Sequence, residues 1–203
     1  MFRPCDNVSA QIQLDHQRAR RTARSSFRAC LVFLLCTIGP RPEGGDTAYT
    51  SENILRQLRH YNQMRQVGGT ECVDDIYAKD PTPAGDDVRF WFVGKVARCT
   101  SAELAVARQF NLLEEHACRI RPVELGRSFG DLELFAAPGD TELLTARNDP
   151  GIRLQPMPRT VEGSDRIALL EVGLNLEIVT NQGAGFCILR TKDGVVPPRL
   201  IGE

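Results

Sequence analysis

Val88-Arg89-Phe90-Trp91-Phe92-Val93-Gly94-Lys95-Val96-Ala97-Arg98-Cys99 decides the fold. Aromatic and β-branched residues occupy both alternating sets of positions. That pattern predicts a strand covered on both faces, near the centre of a sheet. Gly94 marks a bulge or a close backbone approach. Thr100-x-x-Glu103 follows at once and has the form of a capping box, in which two side chains satisfy helix-end N–H groups. It opens a helix running to Arg121, where Pro122 stops it. At 100° per residue, Ala102, Val106, Phe110, Leu113, Ala117 and Ile120 share one face. Arg108, Glu115 and Arg119 fall opposite, with Glu115 and Arg119 spaced i, i+4 as on an exposed helix side. The helix is expected to lie across the sheet.

Downstream the chain reads as extended. Asp131–Ala137 alternates, with Leu132, Leu134 and Ala136 on one side. Pro138-Gly139-Asp140 is a turn, and Thr141–Asn148 fits either a strand or a single helical turn. Ile152–Met157 is a short strand that Pro156 and Pro158 push to an edge. Ile167–Thr180 reads as one long or two broken strands. Asn181–Gly185 is a turn from which Phe186–Thr191 pairs back as a hairpin. A tail from Val195 is expected outside the core.

Upstream, Thr50 or Ser51 caps a shorter amphipathic helix to about Gln66, with Ile54, Leu55, Leu58 and Tyr61 as its apolar stripe. Its other side carries Arg56, Arg59, His60 and Arg65. This is a solvated face, or a basic face for an acidic partner or an anionic lipid surface. Residues 70–87 read as an acidic connecting segment with a short extended piece at Val73–Tyr77. The fold class is therefore α+β: a mainly antiparallel sheet, one long helix packed across it, and a shorter helix before it. The divisions are a leader over 1–48, a helix and acidic linker over 49–87, the α+β domain over 88–194, and a tail over 195–203.

The leader holds seven Arg, no Lys and only four acids. Arg18, Arg20, Arg21, Arg24 and Arg28 precede an apolar run, Ala29 to Ile38. Such Arg-rich, acid-poor segments are read by organelle import machinery. Ten apolar residues are too few to span a bilayer, which takes roughly 20. The chain has 25 basic and 26 acidic side chains, so removing the leader's share leaves 18 and 22, a net charge near −4. That balance disfavours a nucleic-acid partner. Peripheral membrane association stays open, with no transmembrane helix expected after the leader.

Seven cysteines include four beyond the leader: Cys72, Cys99, Cys118 and Cys187. They form no CxxC pair, so a tetrahedral zinc site is not expected. Reduced thiols are the leading reading, one disulfide the next, and thiol regulation through Cys99, Cys118 or Cys187 a further one. No phosphate-cradling glycine loop appears, and no cofactor or metal is expected. Glu115, His116 and Cys118 sit too close in sequence on one helix to converge as a catalytic set. No catalytic residue is assigned. The expected binding residues are Arg98 and His116 with Glu124 and Arg127 of the post-helix loop, and Asp140, near Glu142 at a cleft mouth. Arg56, Arg59 and Arg65 are the expected partner-facing residues of the first helix.

Five segments carry a family resemblance: Phe90–Arg98, Ala107-Arg108-Gln109, Glu114-Glu115-His116-Ala117, Arg121-Pro122-Val123-Glu124-Leu125 and Ala137–Leu143. Over about residues 89–149 the chain resembles an uncharacterised family of nucleus-encoded plastid proteins of plants and algae. The resemblance implies a chloroplast location, stromal or thylakoid-associated. The leader departs from the plastid pattern in its few Ser and its apolar run, which leaves a mitochondrial destination open. Together these readings lead to a non-enzymatic plastid accessory, assembly or scaffold protein that binds another protein. The alternative is a small-molecule binder or enzyme with a pocket between helix 100–121 and the sheet.

Overall fold

The computed structural model describes residues 47–81, 87–178 and 186–201. The leader up to residue 46, its apolar run included, and the 181–185 turn lie outside the described residues. In chain order the elements are α1 (Ser51–Gly68), β1 (Val73–Lys79), β2 (Asp87–Arg98), α2 (Ala102–Ile120), β3 (Glu133–Pro138), α3 (Glu142–Ala146), β4 (Gln155–Met157), β5 (Val172–Leu176) and β6 (Cys187–Thr191). All pairings are antiparallel, in the order β4-β3-β1-β2-β5, with β6 also on β2. The class is α+β, with α2 lying on one face of the sheet.

β2 is central and covered on both sides. Gly94 (φ 148°) makes the expected bulge: Ile76 pairs with Gly94 and Tyr77 with Phe92, so Val93 is the extra residue. The bulge resets the alternation. Val93 and Val96 therefore both face α2, in a cluster with Ile76, Ala78, Leu134, Ala136 and Leu174. The far face carries Tyr77, Val88, Phe90, Phe92, Phe135 and Ala137, closed over by Leu154 and Ile188. Phe90 and Phe135 meet edge to face at 4.8 Å. Phe135, read as outward-facing, is thus core; both faces of β3 are covered.

Four expectations are corrected. The extended piece read at Val73–Tyr77 is β1, but the acidic segment around it is no linker, since β1 is buried along its whole length between β2 and β3. Its aspartates are tolerated there because each meets a compensating partner: Asp74 the Arg98 guanidinium, Asp75 a pair of backbone N–H groups and Lys95. β5 and β6 are not a hairpin, because both run antiparallel to β2 and so in the same direction, on successive stretches of it. They form one interrupted line along its edge, where the Glu177 N–H donates to Val93 and the Phe92 N–H to Phe186. The tail is tied in: Thr191 N–H donates to the Val195 carbonyl, and Val196 is buried. Finally, Glu115 and Arg119 do not lie on an exposed helix side. Glu115 is buried, and Arg119 stacks at 4.5 Å on the Tyr49 ring while holding Glu115 at 2.7 Å.

The helix ends follow side-chain chemistry. Thr50 caps α1 by accepting from Asn53 N–H, as expected. At α2 the cap is Ser101, accepting from Leu104, one residue later than the box reading placed it. α1 runs two residues past Gln66 and buries Asn53, Ile54, Gln57, Tyr61 and Met64, leaving Leu55 exposed. Tyr61 and Met64 cover Val73 and Ala97 on the far face. α1 approaches β5 so closely that a Cβ on Gly173 would stand 2.1 Å from Tyr61 N. The stretch 141–148 resolves into α3, a single short helix.

Candidate functional site: a charged seat beneath a short helix

After the bulge, Lys95 points to the far face, directly across from Asp75 in the β1–β2 register. The two lie between the Tyr61–Ala97 cluster and the aromatic far-face cluster. Asp75 has no exposed surface. Its Oδ1 accepts from Asp140 N–H at 3.2 Å and its Oδ2 from Thr141 N–H at 2.9 Å, with Lys95 Nζ 3.6 Å away. Lys95 Nζ reaches Asp140 Oδ1 and Glu142 Oε1, each at 2.5 Å. Asp140 holds a left-handed backbone (φ 59°), which turns its carboxylate to Lys95 on one oxygen and Arg65 on the other, at 2.6 Å. Asp and Asn tolerate that conformation better than most residues.

Burial pushes the Asp75 carboxyl up to about 6; the Glu142 charge adds to this, while Lys95 and the two amides oppose it. Burial alone would lower Lys95, but its bonds to Asp140 and Glu142 and the Asp75 charge outweigh that and raise it. Lys95 is therefore a permanent cation at neutral pH. The Lys95 bond holds Asp140 below the usual carboxylate range.

These groups seat the start of α3. Its other end is held by Arg190, wholly buried on β6, whose Nη2 donates to the Thr145 carbonyl at 2.9 Å and Nη1 to Asn148 Oδ1 at 2.7 Å. Five residues cannot sustain a helix alone, because nucleation outweighs so few bonds. Here three buried charged side chains fix one short helix. That helix turns Leu143 (73% exposed) and Leu144 (43%) to solvent. Beside Glu142 opens a cleft of about 350 Å³, lined by Phe92, Lys95, Asn175, Glu177 and Ile178.

The structure brings together Asp140 and Arg65 of the expected residues. The rest are dispersed. Arg98 grips Asp74 through Nε and Nη2 on the opposite face, and donates from Nη1 to the Thr100 carbonyl at 3.0 Å. It lines a second cleft of about 380 Å³ at the N-terminal end of α2, with Ser101, Glu103, Gln155 and Met157. His116 is buried inside. Its Nε2 donates to the Glu177 carbonyl at 2.9 Å, so Nδ1 accepts from Tyr49 OH, also at 2.9 Å. Burial lowers its pKa to about 4, and it stays neutral. Glu124 and Arg127 are exposed in the loop after α2 and meet neither Arg98 nor His116. Arg56 donates to Asn53 Oδ1, and Arg59 is exposed.

Asp75, Lys95 and Arg190 were not among the expected residues. One signal was available: Lys95 is a lone lysine inside an apolar strand, and such a residue needs an anion across the ladder. Among the described residues, no group of His, Cys, Asp or Glu could hold a metal ion, and no helix is long and apolar enough to cross a membrane. Cys72, Cys99, Cys118 and Cys187 all carry free thiols; that of buried Cys118 donates to the Leu125 carbonyl. Compared with family models, with curated proteins and with solved structures, the chain matches none.

Proposed function

We propose that this chain is a non-enzymatic plastid accessory, assembly or scaffold protein that binds another protein through α3 and its charged rim. The observation carrying the reading is the seat itself. Asp75, Lys95 and Arg190 fix a five-residue helix that presents two leucines. Exposed large apolar side chains on a rigid support, rimmed by charge, are what protein interfaces use. The groups that chemistry would recruit are already engaged: both His116 nitrogens, the Arg98 guanidinium and the Lys95 ammonium. The plastid location rests on the Arg-rich leader and the family resemblance.

The double substitution Leu143→Asp, Leu144→Asp tests it. Both side chains face water, so the fold should be kept, as judged by circular dichroism and thermal midpoint. The parent protein is expected to elute from native plastid extracts above its monomer size, and the variant at monomer size. Identical elution of the two would remove α3 as the docking element. A second reading, a small-ligand binder, is favoured by the Arg98 cleft of about 380 Å³. It predicts that Arg98→Met abolishes ligand binding in a metabolite screen while leaving elution unchanged.

A further inference from the structure

We propose that Arg190, Tyr77 and Thr145 form a buried site for one small monovalent inorganic anion, chloride or an ion of its size, beneath the C-terminal end of α3. The proposal goes beyond the docking reading and does not rest on it. Three observations carry it.

First, Arg190 is a buried cation without a counter-ion. It has no exposed surface, and its bonds run to neutral oxygens alone: the Leu189 and Thr145 carbonyls and Asn148 Oδ1. A guanidinium carries five N–H donors and stays protonated in proteins. Nη1 makes two of these bonds and Nη2 one, so one Nη2 hydrogen is unused, and Nε has no partner at all. The buried cations Lys95 and Arg119 differ, since each meets a carboxylate. An unpaired charge in the interior is costly until an opposite charge is supplied.

Second, two hydroxyls adjoin it. Tyr77 and Thr145 have no exposed surface, and neither the Tyr77 hydroxyl nor Thr145 Oγ1 makes a well-formed hydrogen bond. Burial raises the Tyr77 pKa, and the neighbouring Thr145 hydroxyl and Arg190 charge only partly offset this. The phenol therefore keeps its proton and is a donor. Hydroxyl hydrogens rotate to suit an acceptor. One acceptor can thus take Nε–H and the spare Nη2–H of β6, the phenol O–H of β1 and the Thr145 O–H of α3. Donors buried without an acceptor are expensive, and one occupant answers them together.

Third, charge and size select the occupant. A water would satisfy the hydroxyls but leave the Arg190 charge unanswered; an anion does both. Asp75 and Glu142, the carboxylates that act on Tyr77, do not supply it. Asp75 is turned to Lys95 and the Asp140 and Thr141 amides, and Glu142 to Lys95. None of the three side chains lines the clefts beside Glu142 or Arg98. The site is enclosed, so a single-atom ion suits it and a phosphate or an organic acid is too large.

The test follows the thermal midpoint of the full chain at fixed ionic strength, as sodium gluconate is replaced stepwise by sodium chloride. Gluconate is too bulky to enter. The midpoint is expected to climb with chloride, by roughly 3–6 °C for each tenfold increase beyond the Kd. Tyr77→Phe keeps the ring and removes one donor. It should weaken chloride roughly fivefold, while its midpoint in gluconate alone equals or exceeds that of the parent, because an orphaned hydroxyl is gone. Arg190→Met should abolish the chloride response. Thr145→Val carries the same expectation as Tyr77→Phe, and covers the case in which Arg190→Met fails to fold. Equal parent midpoints in the two salts would overturn the proposal in favour of an internal water. A chloride response that persists unchanged in Tyr77→Phe and Thr145→Val would overturn it in favour of a general salt effect.

Discussion

At the scale of single residues, two buried groups titrate in the same pH window with opposite effects. Asp75 has a folded pKa of about 6 against an ordinary 3.8. The folded state therefore holds its proton more tightly, and the stability this contributes is greatest below the ordinary value and is lost as pH rises through about 6. His116 has a folded pKa of about 4 against 6.5. Its contribution is present above 6.5 and is lost as pH falls through about 4. Each shift corresponds to roughly 3 kcal/mol, so the two slopes nearly cancel between pH 4 and 6. Asp75→Asn leaves the histidine slope, and the urea midpoint of that variant should fall on acidification from pH 6.5 to 4. His116→Gln leaves the aspartate slope, and its midpoint should rise over the same range. Parallel profiles for the two variants would refute the assignment. Lys95→Met removes the cation that touches both Asp75 and Glu142, and should destabilise by about 3–5 kcal/mol in urea. Arg59→Ala, on the exposed side of α1, should change stability by less than about 0.5 kcal/mol. Asp140 and Arg65 could be named from sequence because both lie in polar surroundings where function is sought. Asp75 could not: an Asp-Asp pair reads as wet loop until the β1–β2 register sets Lys95 opposite it.

At the scale of elements, local signals worked wherever the chain's own periodicity or punctuation determined the outcome. β2, its bulge at Gly94, the start of α1 and the stop of α2 at Pro122 were all legible this way. They failed where a tertiary partner decided. β1 owes its burial to charge pairing across strands, and Tyr49 covers the side of α2 that carries Glu115 and Arg119. The β5–β6 hairpin was inferred from a turn alone, yet the ladder with β2 fixes the direction of both strands. α1 lies tightly on β5 at Gly173. Gly173→Ala forces a Cβ into the α1 backbone near Tyr61 and should cost at least about 2 kcal/mol, since overpacking here cannot be relieved by a flexible side chain. Gly126→Ala, whose Cβ would find its nearest neighbour at 3.9 Å, is the matched control and should be close to neutral. Equal thermal midpoints for the two variants would contradict the packing of α1.

At the scale of the whole molecule, the α+β class followed from a central strand, a helix across it and punctuated strands after it. The candidate site did not follow, because its side chains come from α1, β1, β2, the turn into α3 and β6, spread along the chain from Arg65 to Arg190. Its design is asymmetric. One face of the sheet is closed by α2 over an apolar core, while the other carries a charged seat that holds a short helix with its leucines outward. The account stands or falls on that helix meeting another protein. The most direct measurement is site-specific photo-crosslinking in intact plastids, with the reactive side chain at position 143 or, as a control, at position 59. The account predicts one discrete adduct from position 143 and none of matching size from position 59. No adduct at position 143, or the same adducts from both positions, would contradict it.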